Sequence, residues 1–153
     1  MKETETIIES LTSYRVIYGD TDQMGVVYYA NYLRWFEMGR TEFLRRIEMP
    51  YTSVEEMGLR FPVIEVSCHY HKPARFDDLL TIATTLTSLG RASLTFSYRI
   101  RRDRNDPPLA TGWTKHACVD QHGEAIRVPA DLERVLKESV SRTGKTTVGK
   151  PDS

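Results

Sequence analysis

The sequence of 153 residues lacks long hydrophobic runs and net charge. No segment approaches the roughly 18 consecutive apolar residues of a membrane-spanning helix, and residues 1–10 contain no apolar run that would suit a signal peptide. Lysine and arginine together number 21, and so do aspartate and glutamate. This balance disfavours nucleic acid or an anionic membrane as the main partner. We therefore expect a soluble, cytoplasmic protein.

Cysteine is also scarce, because Cys68 and Cys118 are the only two. Both lie in apolar, strand-like segments, so two buried, reduced thiols are favoured over a disulfide or a nucleophile. Ser13, Ser93 and Ser97 lack the context of a nucleophile elbow, which argues against a serine triad.

Hydrophobic periodicity predicts one long helix among several strands. Apolar residues recur at three- and four-residue spacing over residues 28–48, a helix of roughly 30 Å, and Gly39 on its apolar face predicts a close approach of a sheet. Alternating patterns predict strands at residues 12–19, 61–71, 79–89, 93–101 and 109–120. This order favours an α+β fold in which the long helix packs on a mainly antiparallel sheet of about five strands.

The chain length suits a single domain, which we place at residues 1–140. A shorter helix is predicted after Pro129. Residues 141–153 have too few apolar side chains to pack, and we predict a disordered tail there.

Residues 18–32 contain the strongest candidate for a catalytic group. Asp22 lies in a short loop, together with the flexible Gly25, directly before the long helix. A helix N-terminus offers unsatisfied N–H groups and partial positive charge. A carboxylate beside such an oxyanion site can cleave an activated acyl compound. Taken alone, an aspartate that hydrogen-bonds its own turn is the simpler interpretation.

Metal binding is disfavoured. Asp20 and Asp22 have no third ligand at a supporting spacing. His69, His71 and His116 would form a cluster only if their strands paired suitably, and partly exposed or hydrogen-bonded histidines are the simpler interpretation. We expect neither a metal nor a cofactor.

Two segments resemble the 4-hydroxybenzoyl-CoA thioesterase family of hotdog-fold acyl-CoA thioesterases. They are Asp20-Thr-Asp22 with Gly25-Val-Val-Tyr-Tyr and Asn31-Tyr32, and, more loosely, Tyr70-His-Lys-Pro73 with Phe76-Asp-Asp-Leu79. The resemblance covers about residues 12–135. It implies a hotdog fold, hydrolysis of an acyl-CoA without metal or cofactor, and dimers that join edge to edge and often pair into tetramers.

The resemblance also implies roles for individual residues. Asp22, rather than Asp20, is the catalytic carboxylate, and the thioester carbonyl rests on the backbone N–H of Tyr29 in the first turn of the long helix. Many relatives have histidine at Tyr29, so only the backbone role carries over. The substrate-binding residues that we expect are Gly25, Val27, Tyr28 and Arg91.

Some alternatives stay open from the residues. Arg91, in a turn beside Gly90, either meets a CoA phosphate or is simply solvated. Tyr28, Trp35 and Phe36 either line an acyl pocket or form core. Asp22 would act as nucleophile or as general base. The substrate is either an acyl-CoA or an acyl carrier protein thioester, unless the domain binds acyl-CoA or a protein without turnover. The sequence does not identify the acyl group.

Overall fold

The computed structural model describes residues 8–103 and 105–140, so the predicted tail at residues 141–153 lies outside the described residues. The helices are α1 (Asn31–Arg46), α2 (Tyr51–Glu56) and α3 (Ala130–Ser139). Over the described ranges, no helix combines the length and apolar character needed to cross a membrane. The strands are β1 (Ser10–Arg15), β2 (Leu59–Arg60), β3 (Val63–Tyr70), β4 (Leu79–Leu89), β5 (Ser93–Arg101), β6 (Ala110–Ala117) and β7 (Val119–Asp120).

The main sheet contains five of the described strands, in the order β1-β4-β5-β6-β3. Every neighbouring pair in it is antiparallel. A small second sheet pairs β2 with β7. The α+β class and the five-stranded antiparallel sheet are as predicted, and β3 lies at one edge of that sheet.

The apolar face of α1 covers the inner face of the sheet. Phe36 stacks on Tyr98 with ring centroids 4.2 Å apart, and Phe43 meets Phe96 edge-on at 5.5 Å. Trp35 and Phe36 are fully buried and so belong to the core rather than to an acyl pocket. Each large side chain buried in this way contributes roughly 1.5–3 kcal/mol.

The predicted close approach at Gly39 is confirmed. A Cβ atom placed there would lie 3.0 Å from Cγ2 of Ile82 and would collide with the hydroxyl of Thr84. Because both neighbours belong to β4, glycine at this position lets the helix axis come nearer to the sheet than any larger residue would.

Two predicted boundaries are wrong near the start of the chain. The first strand ends at Arg15 rather than at residue 19, because Tyr18–Asp20 form a 3-10 turn. The long helix begins at Asn31 rather than at residue 28. The N–H of Tyr28 donates to the carbonyl of Asp20 (2.8 Å), and the carbonyl of Tyr28 accepts from the N–H of Asn31 (2.9 Å). Tyr29 therefore lies in a turn before the helix and not in its first turn.

The strand predicted at residues 109–120 is also divided. β6 leaves the sheet at Cys118, whose N–H donates to the carbonyl of Ala92 (2.9 Å). The following residues, Val119–Asp120, pair with β2 instead. β6 divides here because its neighbour β5 offers no further partner. Ser93, which pairs with Ala117, is the first residue of β5.

Candidate active site

The side chain of Asp20 holds the segment before α1 in place. It is buried, and its carboxylate accepts hydrogen bonds from the Tyr14 hydroxyl (2.8 Å) and the Ile17 N–H (3.0 Å). Arg34 forms an ion pair with the second carboxylate oxygen at 3.2 Å. Burial and the hydrogen bond to Asp20 both raise the pKa of the Tyr14 phenol. Both oxygens of Asp20 are thus engaged within the protein.

The backbone carbonyl of Asp20 fixes the entry to the helix. It accepts from the N–H of Tyr28 and from the side-chain amide of Asn31, each at 2.8 Å. Since Asn31 is the first residue of α1, its hydrogen bond to the Asp20 carbonyl joins the loop directly to the start of the helix. Asp20 therefore acts as an organiser of the loop.

Asp22 lies in a tight loop closed by its own backbone. Its N–H donates to the carbonyl of Val26 (2.8 Å), and its carbonyl accepts from the N–H of Gly25 (3.0 Å). Gly25 has φ of 81°, a conformation that disfavours most other residues. One carboxylate oxygen, Oδ1, accepts from the N–H of Met24 at 2.8 Å, which is the Asx turn that the sequence suggested as the simpler interpretation.

The second carboxylate oxygen of Asp22 remains available. Among the described residues none donates a hydrogen bond to Oδ2, and the side chain is only partly buried. The contrast with Asp20 is direct, because there every carboxylate oxygen has a partner. Asp22 can therefore use one oxygen to hold its own turn and the other to meet a substrate or a water molecule.

The turn at Tyr29 and Ala30 presents backbone donors. Ala30 occupies the N-cap position of α1 and has no side-chain cap. In the described part of the chain, no acceptor faces the N–H groups of Tyr29 or Ala30. Uncapped N–H groups at a helix N-terminus favour an oxyanion, and such donors stabilise the charge that develops during acyl transfer.

A cluster of tyrosines surrounds this turn. Tyr29 lies 4.8 Å from Tyr28 and 6.2 Å from Tyr70, and Tyr32 lies 5.1 Å from Tyr70, measured between ring centroids. The Tyr70 hydroxyl donates to the carbonyl of Tyr29 at 3.1 Å. Tyr70 is not among the predicted site residues. Its position in the second, looser motif was the signal that could have identified it.

The other residues singled out in the sequence lie in different places. Gly25 is exposed, whereas Val27 is buried in the core, and its N–H donates to the carbonyl of Ala74 at 2.9 Å. Arg91 is exposed in the turn after β4. The Asp22 loop lies near the first residues of β4, because Val26 forms a β-bridge with Arg75. The length of β4, roughly 35 Å at the usual rise per residue, separates Arg91 from Asp22 within one chain.

The cysteines and histidines do not form a centre. Both cysteines are free, with Cys118 buried and Cys68 half-buried. Burial raises the pKa of the Cys68 thiol, which therefore stays protonated. His116 lies on the inner face of the sheet, where Phe96 meets its ring. No group of three His, Cys, Asp or Glu residues within 8–103 and 105–140 could hold a metal ion.

Of the two edge strands of the main sheet, β1 and β3, the β3 edge exposes several apolar side chains. Val63, Ile64 and Val66 of β3 are 44–53% exposed, and Tyr70 at the end of the same strand is 46% exposed. Native proteins usually protect such an edge, and an apolar patch of this kind marks an interaction surface.

Comparison with known proteins identifies the family. The model of the thioesterase superfamily matches residues 24–108, which is more than half of the chain. The chain belongs to the thioesterase superfamily. Its helix-on-sheet architecture is a hotdog fold, as the resemblance predicted, and the protein is a thioester hydrolase.

Individual relatives support this assignment. The chain is 41% identical over 107 residues to the acyl-CoA thioesterase YbgC of Haemophilus influenzae, covering 69% of this chain and 77% of that protein. A crystal structure of a hypothetical protein from Thermus thermophilus is 39% identical, with a TM-score of 0.79, and covers 86% and 98% of the two chains. The DHNA-CoA thioesterase of Staphylococcus aureus is 25% identical, with a TM-score of 0.81, and covers 86% and 91%.

Proposed function

We propose that this protein is an acyl-CoA thioesterase in which Asp22 is the catalytic carboxylate and the backbone N–H of Tyr29 binds the thioester oxygen. One observation carries the proposal. Asp22 keeps an unengaged carboxylate oxygen in the loop that leads into a turn with two free N–H donors. Relatives named as acyl-CoA thioesterases support CoA as the carrier of the acyl group. The motif at residues 20–32 supports a relationship to the 4-hydroxybenzoyl-CoA thioesterases.

The chemistry has two routes that use the same atoms. As a nucleophile, Oδ2 of Asp22 attacks the carbonyl carbon, CoA leaves as the thiolate, and water then hydrolyses the mixed anhydride. As a general base, Asp22 takes a proton from water, and the resulting hydroxide attacks the same carbon. In both routes the Tyr29 N–H stabilises the negative oxygen of the tetrahedral intermediate. The products are the free acid and CoA.

The free edge at β3 supports a dimer that completes the site. In a two-fold pairing of two β3 strands, the beginning of one strand lies beside the end of the other. Arg91 lies at the end of the sheet where β3 begins, because Ser93 pairs with Ala117 and the neighbouring His116 pairs with Val63. Arg91 of the partner subunit would therefore lie at the Asp22 end, where it can meet a CoA phosphate. Pairing of two such dimers into a tetramer, and a cytoplasmic location, stay predictions.

The decisive variant is Asp22→Asn. The asparagine side-chain oxygen still accepts the hydrogen bond from Met24, so the loop keeps its Asx turn while the nucleophilic charge is lost. We expect thiol release from a series of acyl-CoAs to fall by a factor of 100 or more, with an unchanged melting temperature. Glu138→Gln, which removes an exposed carboxylate from α3, is the matched control and should keep wild-type activity.

Two results would contradict the proposal. Equal rates of thiol release by wild type and Asp22→Asn would show that Asp22 is not the catalytic carboxylate. If wild type released no thiol from any acyl-CoA, CoA thioesters would be excluded as substrates. The same assay with acyl carrier protein thioesters would then test the other carrier.

A further inference from the structure

A cavity lies beside the middle of α1, away from Asp22. Its volume is about 180 Å³. It is lined by Glu37, Arg40, Thr41, Leu44, Tyr51, Phe61, Phe96 and His116. Leu44, Phe61, Phe96 and the ring of Tyr51 form its apolar wall, and the other lining residues are polar or charged. The thioesterase chemistry at Asp22 uses none of these residues.

The polar groups behind the cavity form a hydrogen-bond chain with one direction. His116 Nδ1 lies 2.9 Å from the carbonyl of Phe61, which can only accept, so Nδ1 carries the proton. In the neutral ring, Nε2 must then accept from the Thr114 hydroxyl at 2.8 Å. The Tyr98 hydroxyl consequently donates to Thr114 at 2.6 Å. Each polar hydrogen of Tyr98, Thr114 and His116 is therefore already donated within this buried chain.

Arg40 lies against this chain and brings a positive charge to the cavity. Burial raises the pKa of the Tyr98 phenol, and the charge of Arg40 and a hydrogen bond from it oppose that rise. Burial also lowers the pKa of His116, and Arg40 contributes in the same direction. Arg40 and His116 both line the cavity, so the charge of Arg40 lies on its polar side.

The charge of Arg40 has no acidic partner in the part of the chain that the structure describes. Among the described residues, none of the ion pairs includes Arg40, although the exposed Glu37 lies one turn away on the same cavity. A half-buried cation without a counter-charge is unfavourable. A guanidinium fork matches the two oxygens of a carboxylate, or those of a phosphate, in a bidentate arrangement. The hydroxyl of Tyr51, which already accepts from the N–H of Phe61 (3.0 Å), has a proton left to donate.

Partly exposed apolar residues lie between the cavity and the tyrosine cluster along both elements. Leu33, which is 38% exposed, precedes Arg40 by seven residues and so shares its face of α1. On β3, Val66 is 46% exposed and lies four residues before Tyr70, so both side chains point to the same side of the sheet. Val66 pairs with Thr114 of the hydrogen-bond chain, and Tyr70 contacts Tyr29. The rise along α1 from its first residue to Arg40 is about 14 Å, a distance that an extended acyl chain of medium length can span.

We propose that this cavity receives the far end of the acyl group and that Arg40 recognises a carboxylate there. The preferred substrates are then CoA monothioesters of medium-chain dicarboxylic acids. This inference rests on the proposed function, since it assumes that the thioester lies at Asp22 and Tyr29. Leu44, Phe61 and Phe96 would cover the last methylene groups, and Tyr51 would donate a second hydrogen bond to the carboxylate.

The test compares acyl-CoA pairs of equal length with and without a terminal carboxylate, for example decanoyl-CoA and the CoA monothioester of decanedioic acid. Wild type should prefer the carboxylated member by a factor of 10 or more in kcat/KM, and only at chain lengths that reach the cavity. Arg40→Met should lower kcat/KM for the carboxylated member at least 10-fold, mainly through KM, and leave decanoyl-CoA within threefold. Arg45→Met, an exposed arginine on the same helix, is the control and should retain the preference.

Two further variants keep the test interpretable if Arg40→Met folds poorly. Arg40→Lys keeps the charge but loses the fork, so it should retain part of the preference. Glu37→Gln removes the competing negative charge and should increase the preference. No preference in wild type at any length, or equal losses on both members in Arg40→Met, would overturn the inference.

A binding measurement separates this inference from the proposed function. Calorimetry with free decanedioate and decanoate does not depend on hydrolysis. If wild type releases no thiol, the proposed function fails, yet Arg40-dependent binding of decanedioate would still support the carboxylate site. Equal binding of the two acids, or equal binding by wild type and Arg40→Met, would contradict the site even in an active enzyme.

Discussion

At the scale of single residues, two aspartates that are close in sequence have different surroundings. Asp20 is buried with Tyr14, Ile17 and Arg34 on its carboxylate, so its charge serves the fold. Within the described part of the chain, Asp22 is bound through one carboxylate oxygen only. The motif distinguished these residues by resemblance, and the structure supplies a physical reason for the distinction. The Asx turn and a catalytic role are compatible, because they use different oxygens of the same carboxylate.

His116 gives the fold a sensitivity to acid. Burial lowers its pKa to about 4, against an ordinary value near 6.5. The hydrogen bond to the Phe61 carbonyl partly opposes this shift, and the charge of Arg40 adds to it. The other polar groups near the ring or its cavity are Thr114, Thr41, Tyr51 and the exposed Glu37. Because the folded state holds the neutral ring, the unfolded state binds more protons between pH 6.5 and 4.

We therefore expect the neutral His116 ring to make its full contribution to the free energy of unfolding above pH 6.5. This free energy should fall by about 3 kcal/mol as the pH drops to 4. The measurement is urea unfolding at fixed protein concentration between pH 4 and 7, for wild type and His116→Gln. Glutamine can replace both hydrogen bonds without titrating, so the variant should show a shallower loss. Parallel pH profiles for the two proteins would show that His116 does not titrate in this way.

At the scale of elements, the helix and strands follow from periodicity, but their ends do not. The apolar pattern continues through Tyr28 and Tyr29, yet α1 begins only at Asn31. The hydrogen bond from Tyr28 to the Asp20 carbonyl takes the backbone out of the helix there. This contact depends on a loop fixed by Tyr14 and Arg34, so no local pattern could reveal it. The shift puts the Tyr29 N–H in a turn, where no acceptor within residues 8–103 and 105–140 faces it.

Gly39 tests how closely the helix and the sheet pack. Gly39→Ala gains up to about 1 kcal/mol in helix propensity, but its methyl group would collide with Thr84 and Ile82. We expect a net loss of roughly 1–3 kcal/mol in the free energy of unfolding, as overpacking usually costs. The double variant Gly39→Ala/Thr84→Ala removes the colliding hydroxyl and should recover part of this loss. Additive losses in urea unfolding would contradict a direct contact.

At the scale of the whole molecule, we propose that a second copy of the chain completes the site. Asp22 and the tyrosine cluster lie at one end of the sheet, and Arg91 lies at the other. The free apolar edge at β3 offers the surface through which a second copy would bring these ends together. In this proposal, thioester hydrolysis and CoA binding depend on association, although all the residues come from one sequence.

A charge at this edge should separate the subunits. Ile64→Lys places an ammonium on β3 where the side chain is 53% exposed, and charged edges resist strand pairing. We expect light scattering with size exclusion to show a monomer and thiol release to fall at least 10-fold. Met57→Lys, at a similarly exposed apolar residue after α2, is the control and should leave both unchanged. An active Ile64→Lys monomer would refute a shared site.

The sequence by itself determined the class of fold, the order of its elements, the close approach at Gly39 and the motif around Asp22. These features depend on local periodicity and on short-range turn chemistry, which neighbouring residues carry. Only the tertiary structure decided the start of α1, the burial of Val27, the contact between Tyr70 and Tyr29, and the position of Arg40 beside Tyr98 and His116. Each of these depends on contacts between residues far apart in the chain, and their distances are set by the packing of the helix on the sheet.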